Sequence, residues 1–404
     1  MEVLGIIAEY NPFHKGHEYH LKKSMELSGA DCSVAVMSGN FTQRGEAAVL
    51  DKWTRSRIAV EAGVDLVLEL PFLFACNRAE IFAKGAVDIL TAVKAGHIAF
   101  GSESGDLGQL ESLACGMRER QEEIARARER SMKKGNSYAK GLQEAVERVL
   151  GKEKSALMLE PNNILALEYL KRILYHRERG QAPRPVAIKR CGSGYFDADE
   201  DSGFAGAGAI REMLREGKPA AERLKGWVPE VTVRQLACSI DIGAAEERAF
   251  QMIRGELISS SAEELARIYC VGEGIENKLK KEIIKASSLQ QLIGDVVSRR
   301  YTEAAVRRIL LYILMKVKAE KEDFPVYARV LAAGPKGRKL LRTLKNDDSV
   351  EIPILTNING PDDAGDEISN MLRHDVVAAD MYNALWGRDL YKFSDKVIKP
   401  FILE

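Results

Sequence analysis

The sequence predicts an α/β fold that begins with a parallel sheet and continues into a mainly helical domain and a small C-terminal α/β unit. Three observations lead to this prediction. Short apolar runs alternate with helical stretches over the first two hundred residues, an arrangement typical of right-handed βαβ units. After Pro229 the pattern becomes helical, and two β-like runs return after Phe324. We therefore expect domains at residues 1–225, 226–323 and 324–404.

Each predicted strand is an apolar run bounded by turn residues. The predicted strands are 3–8, 33–37, 65–70, 97–100 and 183–188. The predicted helices among them begin near Gly16 or span about 52–62, 80–94, 163–177 and 209–215. Residues 117–150 are rich in Arg, Glu and Lys, which favours an exposed pair of charged helices or a lid. Later segments are helical at 244–269, 274–293 and 302–320, and β-like at 326–331 and 350–355.

The composition is that of an ordinary soluble globular protein, with 404 residues, 46% hydrophobic and 29% charged. No apolar run reaches the roughly 18 residues that cross a bilayer, and no signal-peptide pattern opens the chain. Six cysteines are scattered singly, which argues against a disulfide framework and fits a reducing compartment. We therefore expect a cytoplasmic protein with no membrane partner. Because 59 basic residues balance 59 acidic ones, a nucleic-acid partner would need a local basic surface.

The most informative stretch runs from Ala8 to His17, at the C-terminal end of the first strand, and opens the first helix. An open α/β sheet binds ligands at this edge, because the helix N-terminus offers unpaired N–H groups and a positive dipole. Gly16 lets the backbone approach a phosphate closely. His14 and His17 lie three residues apart and could donate to the same phosphate oxygens. The alternatives are a histidine that only caps the helix, and a zinc site that includes His20 but lacks a nearby thiolate.

The segment His14-Lys15-Gly16-His17 resembles the H-x-G-H motif of nucleotidylyltransferases, whose ATP-binding domain is Rossmann-like. Other blocks are similar to those of one family with this motif, the bacterial tRNA(Met) cytidine acetate ligases. These blocks are 5–17, 38–46, 100–103, 161–169, 188–190, 273–277 and 300–302. The resemblance extends from residue 3 to about residue 320. It implies an enzyme that activates acetate with ATP as acetyl-adenylate and then acetylates the wobble cytidine of elongator tRNA(Met).

The resemblance also implies the site residues. His14 and His17 would be catalytic, holding the ATP phosphates and stabilising the departing pyrophosphate. The implied ATP-binding residues are Ile7, Ala8, Glu9, Tyr10, Asn11, Pro12, Phe13, His14, Lys15, Gly16, His17, Glu18, Tyr19, His20, Gly101, Asn162, Lys189 and Arg190. Strand alternation lets only one of Lys189 and Arg190 face the ligand.

Three of these positions have structural alternatives. Gly101 could permit a tight turn after the fourth strand. Asn162 precedes an apolar helical run and could serve as its N-cap. Arg190 could be the partner in a surface ion pair.

The stretch from Phe204 to Arg211 departs from related enzymes, which carry a Ser/Thr-rich motif ending in Ile-Arg. Gly206 and Gly208 stand where hydroxyl groups are expected. Backbone N–H groups at a helix start could still hold phosphate, but each lost hydrogen bond to a charged group is worth roughly 1.5–3 kcal/mol. We therefore expect weaker ATP binding or a slower reaction.

A local basic surface is predicted between Lys278 and Arg308, where eight basic residues outnumber three acidic ones. The ring of Tyr301 offers a face on which an unpaired base could stack. The candidate tRNA-binding residues are Lys278, Lys281, Arg299, Arg300, Tyr301 and Arg307. The alternative is an ordinary solvated helical face. In the block 38–46, Gln43 and Arg44 could contact substrate or tRNA, or the block could be a structured loop.

Two other functions stay open on the sequence. A small-molecule adenylyltransferase would account for His14 and His17 but not for the basic helical segment. A nucleotide- or RNA-binding protein with weakened catalysis would account for Gly206 and Gly208. No metal site is predicted, although a triphosphate usually arrives with magnesium.

Overall fold

The computed structural model describes residues 1–190, 198–199, 204–215, 223–236, 240–318, 324–350, 352–358 and 366–404. Its strands are β1 Val3–Ala8, β2 Cys32–Ser38, β3 Leu66–Leu70, β4 His97–Ser102, β5 Arg184–Lys189, β6 Ala198–Asp199, β7 Phe204–Ala205, β8 Ala328–Ala333, β9 Ile354–Leu355 and β10 Phe401–Ile402. The helices of the sheet region are α1 Lys15–Ser28, α2 Lys52–Glu61, α3 Phe72–Ala75, α4 Ala79–Ala92, α5 Leu107–Glu119, α6 Gln121–Lys133, α7 Tyr138–Leu150, α8 Lys152–Ala156 and α9 Pro161–Arg177. The later helices are α10 Ala207–Arg215, α11 Glu230–Leu236, α12 Ile242–Ser259, α13 Ala262–Leu265, α14 Ile275–Ile283, α15 Leu289–Val296, α16 Glu303–Met315, α17 Pro335–Lys345 and α18 Asp366–Leu385.

The central sheet has the strand order β10-β8-β3-β2-β1-β4-β5, and β9 pairs with β8. The five strands from β1 to β5 pair with one another in parallel, as the sequence predicts. β2 and β3 are buried along their whole length, which is typical of parallel strands covered by helices on both faces. β1 lies between β2 and β4, so the loop that follows it opens near the middle of the sheet's carboxyl edge.

The C-terminal segment adds strands to this sheet. The predicted strands and helices after residue 324 are present, but β8 pairs antiparallel with β3, and β9 and β10 pair with β8. The strands of the predicted C-terminal unit therefore extend the parallel sheet of the first two hundred residues, and one of them runs antiparallel to it. β8 is buried at all six positions, and by pairing with β3 it covers an edge that would otherwise expose unpaired backbone groups.

A buried ion cluster holds the C-terminal segment against the sheet. Lys52 Nζ lies 2.6 Å from a carboxylate oxygen of Glu69, on β3, and 2.6 Å from one of Asp395. Arg329, on β8, pairs with Asp395 at 2.7 Å, and the indole N–H of Trp53 donates to the same carboxylate at 3.1 Å. The charges are almost fully buried, so each depends on its partners to offset the loss of hydration.

The helical region after residue 240 has its own apolar core, which includes Phe250, Leu279 and Ile309. Two of the predicted long helices are each divided by serine caps: Ser261 caps α13 and Ser288 caps α15. Serine side chains bond to nearby backbone N–H groups and so favour a helix start over a helix interior. The third predicted segment is helical to Met315, and its residues 319–320 lie outside the described residues, as does residue 351 of the last β-like run.

The predicted charged pair at 117–150 is formed by α6 and α7, which follow α5. Ile124, Ala127 and Val146 are buried, so the pair has an apolar side that packs on the domain. Within the described ranges, no helix is long and apolar enough to cross a membrane.

Candidate functional site

The loop between β1 and α1 ends in a helix cap built from two histidines. His14 is the N-cap of α1, and its Nδ1 accepts a hydrogen bond from the N–H of Gly16 at 3.1 Å. The N–H of His14 donates to Nδ1 of His17 at 3.2 Å. This reciprocal arrangement satisfies two donors that a helix start leaves unpaired. His14 therefore does cap the helix, and Nε2 is the ring nitrogen that it can present to a ligand.

The cap determines the tautomer of both rings. Because each Nδ1 accepts a hydrogen bond from the backbone, the proton of each neutral imidazole lies on Nε2. The two rings stack with their centroids 3.8 Å apart and an interplanar angle of 29°. His14 and His17 thus place two Nε2–H donors next to each other at the positive end of α1.

All three histidines of the loop region are held neutral. Burial, with smaller contributions from the charges of Arg190 and Arg211, lowers the pKa of His14 to about 3. Burial lowers the pKa of His17 well below its usual value, with smaller contributions from the neighbouring histidines. Burial and Arg190 lower the pKa of His20 to about 4. Two guanidinium groups beside three neutral imidazoles form a site suited to an anion such as phosphate.

Arg190 approaches the histidines from the end of β5. Its Nη1 donates to Oδ1 of Asn162 at 3.4 Å, and its Cγ would lie 3.4 Å from a Cβ added at Gly101. Gly101 lies within β4, so the alternative of a tight turn after the fourth strand is wrong. Lys189 instead packs against Gly105, where an added Cβ would lie 2.6 Å from its own Cβ. Of the two adjacent cations, Arg190 is the one whose charge acts on the imidazoles.

Asn162 lies in the first turn of a helix. α9 begins at Pro161, so the expectation that Asn162 could be the N-cap is wrong. The carboxylate of Glu103 takes over the capping role: it accepts from the N–H of Asn162 at 3.2 Å and from its side-chain amide at 2.6 Å. Asn162 therefore connects Glu103 to Arg190. Glu103 was not among the predicted site residues, although it ends one of the blocks that carry the family resemblance.

Arg211, on α10, also contacts the loop. Its Nη1 donates to the carbonyl oxygen of Asn11 at 3.0 Å, and its Nη2 lies 3.4 Å from a carboxylate oxygen of Glu46. α10 begins at Ala207, two residues earlier than predicted. Arg211 was also missing from the predicted site residues, and the Ile-Arg ending of its glycine-rich stretch was the available signal.

Buried polar residues hold the loop in position. The side chain of Arg55 donates to the carbonyl oxygen of Glu9 at 2.5 Å, and Oδ1 of Asn11 accepts from the N–H of Val49 at 2.9 Å. The carboxylate of Glu9 accepts from the N–H of Gln43 at 2.7 Å, and burial raises its pKa. Glu9 and Asn11 thus join the loop after β1 to the loop after β2. Nothing in the sequence pattern singled out Arg55.

The other predicted ATP-binding residues surround this cap. The rings of Tyr10 and Phe13 are buried and lie 4.9 Å and 5.5 Å from the ring of His17, so they support its orientation. Ile7 and Ala8 end β1, Pro12 is buried in the loop, and Lys15 is half-buried in the first turn of α1. Glu18 and Tyr19 are exposed on α1.

Comparison with known proteins agrees with this geometry. A family model described as HIGH Nucleotidyl Transferase matches residues 1–395. The chain is 39% identical over 391 residues to the tRNA(Met) cytidine acetate ligase of Thermoanaerobacter sp. (strain X514), covering 95% of both chains. A protein of the same name from Caldanaerobacter subterraneus subsp. tengcongensis is 39% identical over 398 residues, again covering 95% of both. The chain belongs to the tRNA(Met) cytidine acetate ligase family.

Solved structures of a ligase with this fold support the assignment. The apo crystal structure of Thermotoga maritima TmcAL has a TM-score of 0.89, is 30% identical and covers 100% of both chains. The structure of the same protein bound with alpha-thio ATP has a TM-score of 0.87 at the same identity and coverage. The α/β fold expected for a tRNA(Met) cytidine acetate ligase is therefore confirmed.

In this member of the ligase family, part of the basic helical segment serves the fold. Nζ of Lys278 donates to the carbonyl oxygen of Val296 at 2.9 Å, and Nζ of Lys280 donates to that of Leu257 at 3.0 Å. Both amines thus satisfy carbonyl groups at the C-terminal ends of helices, where such groups lack a partner. The half-buried Lys278 is committed to this contact, although it was predicted to bind tRNA.

Of the remaining predicted tRNA-binding residues, three have partners within the protein. Arg300 pairs with Glu273 at 2.9 Å. Tyr301 donates its hydroxyl to the carbonyl oxygen of Gly272 at 2.9 Å and packs on the helical core, so its ring is not the open stacking face that was expected. Arg307 pairs with Glu303 and with Gln290. Lys281 and Arg299 are exposed, and neither has a hydrogen-bond or ion-pair partner among the residues that the structure describes.

The block at 38–46 forms a structured loop that docks on the helical region of this ligase. The carbonyl oxygen of Gln43 accepts from Nη1 of Arg308 at 3.0 Å. Gly45 has a φ of 78°, and a Cβ there would lie 2.6 Å from the backbone nitrogen of Arg308. The loop thereby connects the Glu9 carboxylate to α16. Among the described residues, no group of three or more His, Cys, Asp or Glu side chains is arranged to hold a metal ion.

Proposed function

We propose that this protein activates acetate with ATP to give acetyl-adenylate and pyrophosphate, and then acetylates the wobble cytidine of elongator tRNA(Met). The observation that carries the proposal is the stacked, neutral pair His14 and His17 at the start of α1, with Arg190 and Arg211 nearby. We propose His14 and His17 as catalytic residues. The names of the relatives and the alpha-thio ATP bound to Thermotoga maritima TmcAL support the choice of substrates.

The first half-reaction needs charge stabilisation and positioning. An acetate oxygen attacks the α-phosphorus, the bond to the bridging oxygen of the β-phosphate breaks, and pyrophosphate leaves with the electron pair. No proton has to move to or from the protein. Donors aimed at the departing pyrophosphate act most strongly when they are already in place. The Nε2–H groups of His14 and His17, fixed by their Nδ1 hydrogen bonds, meet this requirement.

The second half-reaction transfers the acetyl group. The exocyclic amine of cytidine attacks the acetyl carbon, the bond between that carbon and the phosphate oxygen breaks, and AMP leaves with the electron pair while the amine loses a proton. We propose that Arg190, Asn162 and Gly101 border the nucleotide, because Arg190 connects to both of the others. Weaker ATP binding through Gly206 and Gly208, magnesium bound with the phosphates, and a cytoplasmic location stay predictions.

The proposal is tested by incubating the protein with ATP, labelled acetate and bulk tRNA, followed by digestion of the RNA to nucleosides. We expect label in acetylcytidine that requires ATP. Acetate-dependent exchange of labelled pyrophosphate into ATP tests the first half-reaction alone. ATP binding without label in RNA and without exchange would instead indicate a nucleotide-binding protein. Exchange that requires a different co-substrate would indicate an adenylyltransferase.

A further inference from the structure

A cavity of about 100 Å³, open to solvent, lies between the sheet region and the helical region. Its walls come from the loop after β2, from α10, α12, α15 and α16, and from the end of α18. Apolar side chains predominate, among them Phe41, Val49, Ala249, Leu310 and Trp386. One water molecule needs roughly 10–15 Å³ by the same measure, so a cavity of this volume can hold a group larger than a single water molecule.

Two ion pairs, together with Arg307, supply the charged part of this cavity. Arg211 and Glu46 lie 3.4 Å apart, and Arg215 and Glu246 lie 2.6 Å apart. All four residues line the cavity. A few convergent polar groups in an otherwise apolar wall are the usual means by which a pocket orients its ligand.

Arg211 makes the cavity continuous with the proposed nucleotide site. The same guanidinium that lines the cavity donates to the carbonyl oxygen of Asn11 at 3.0 Å, three residues before His14. A ligand held against Arg211 therefore lies beside the loop on which the adenylate would form.

We propose that this cavity receives the target cytosine base, turned out of the RNA, with its Watson–Crick edge against Arg211 and Glu46. This inference rests on the proposed function. Enzymes that modify a base extrude it into a pocket, stack it between apolar or aromatic side chains and read its edge by hydrogen bonds. Phe41 and Trp386 provide aromatic surface in the wall.

The chemistry of the edge favours cytosine over uracil. Cytosine presents two acceptors, N3 and O2, beside its amine donor. A guanidinium complements the acceptors, and a carboxylate complements the amine. Uracil presents an N3–H donor and an O4 acceptor in place of cytosine N3 and its amine, which would set O4 against the Glu46 carboxylate. The pair Arg211–Glu46 thus matches the base that carries an exocyclic amine.

The test uses one variant that fills the cavity and another that changes the Arg211–Glu46 pair. Ala249→Phe places a ring inside the cavity, whereas Gln251→Phe places the same ring on the exposed side of the same helix, α12. Glu46→Gln keeps the shape of the edge but replaces the carboxylate with an amide, which can also donate to uracil O4. For each protein we would measure acetate-dependent pyrophosphate exchange, acetylation of tRNA, and binding of an RNA stem–loop with one unpaired cytosine or with uracil at that position.

The expected results separate this inference from the proposed function. Ala249→Phe should lower tRNA acetylation about a hundredfold and weaken binding of the cytosine stem–loop, with exchange within about twofold of the parent. Gln251→Phe should match the parent in all three assays. Glu46→Gln should reduce the preference for cytosine over uracil about tenfold.

The pocket assignment would be overturned if Ala249→Phe acetylated tRNA as fast as the parent. It would also be overturned if the parent bound both stem–loops equally and Glu46→Gln left that preference unchanged. Absence of acetate-dependent exchange in the parent would overturn the proposed function instead, and the two stem–loops would still test the pocket.

Discussion

The backbone N–H of His14 donates to Nδ1 of His17, and the two rings stack with their centroids 3.8 Å apart. His14 thus caps the start of α1 through Nδ1 and presents Nε2–H as a donor to a ligand. Replacing His14 with alanine would disturb the cap and the donor together. A substitution that preserves the cap but removes the donor shows which of the two accounts for a loss of activity.

His14→Asn is expected to preserve the fold and to lower activity. Asparagine is among the best N-cap residues, so the free energy of unfolding should change by less than about 1 kcal/mol. The Nε2–H donor is lost, and removal of one such donor typically costs about 10²–10³ in rate. Urea unfolding and acetate-dependent pyrophosphate exchange measure the two effects. Lys22→Ala, on the exposed side of α1, is the control, and parental exchange by His14→Asn would remove His14 from the mechanism.

Stability is expected to fall on acidification because of the neutral histidines. The folded-state pKa values of His14 and His20 are lowered to about 3 and about 4, whereas an unfolded histidine has a pKa of about 6.5. Below that pH the unfolded chain binds protons that the folded chain does not. The free energy of unfolding therefore decreases as the pH falls from about 6.5 toward 4.

His20→Gln tests this linkage because Nε2 of His20 is buried without a partner among the described residues. The variant should lose one titrating group, so its free energy of unfolding should depend less steeply on pH than that of the parent. The difference in slope between pH 6 and pH 5 should be on the order of 1 kcal/mol per pH unit. Urea unfolding at pH 7, 6 and 5 measures it. Parallel curves for the two proteins would show that His20 is protonated alike in both states.

The sequence could predict this site because its central part is contiguous. An apolar run, a turn and a glycine within seventeen residues specify β1, the loop and α1, and the histidines lie inside that segment. The partners from elsewhere could not be derived in the same way. Hydrophobic periodicity reports which face is buried, not what covers it, so the pairing of β3 with β8 and the capping of Asn162 by Glu103 were not foreseen.

Long-range charge contacts escaped prediction for a related reason. Lys52 and Asp395 are separated by 343 positions, and each alone is typical of an exposed residue. A lysine that caps a distant helix, as Lys278 does at Val296, has the same sequence signature as one that binds phosphate. Only the packing distinguishes the two roles.

Lys52→Met is expected to destabilise the protein strongly. The substitution removes the cation between the carboxylates of Glu69 and Asp395 and leaves Arg329 as their nearby partner. Breaking a buried pair by removing one member typically costs about 3–5 kcal/mol. Lys336→Met, at an exposed position, should change the free energy of unfolding by about 0.5 kcal/mol or less. A small effect of Lys52→Met would mean that water or rearrangement compensates these charges.

Gly45→Ala is expected to loosen the contact between the loop after β2 and α16. Gly45 has a φ of 78°, and its added Cβ would meet the backbone of Arg308 at 2.6 Å. Gly29 has a similar φ of 65° but open space around it, so Gly29→Ala reports the backbone strain alone, about 1–2 kcal/mol. Gly45→Ala should cost an additional 1–3 kcal/mol or so from overpacking. Urea unfolding compares the two variants, and equal losses would indicate that the loop moves aside freely.

Charge reversal at Lys281 and Arg299 is expected to weaken tRNA binding. These two cations are exposed, and no described residue pairs with them by a hydrogen bond or an ion pair, unlike Arg300 and Arg307. Each phosphate contact releases counterions, so losing two contacts should flatten the slope of log affinity against log salt by about 1 to 2. Titrations of Lys281→Glu/Arg299→Glu with tRNA at several salt concentrations measure the slope.

The control for this prediction must change the net charge equally at another place. Lys133→Glu/Lys140→Glu does so, since both lysines are exposed on the α6–α7 pair. If RNA follows the helical region, this control should leave the salt slope unchanged while the first variant lowers it. Equal effects of both double variants would show that the whole protein's charge matters, and that the surface near Lys281 is only a solvated helical face.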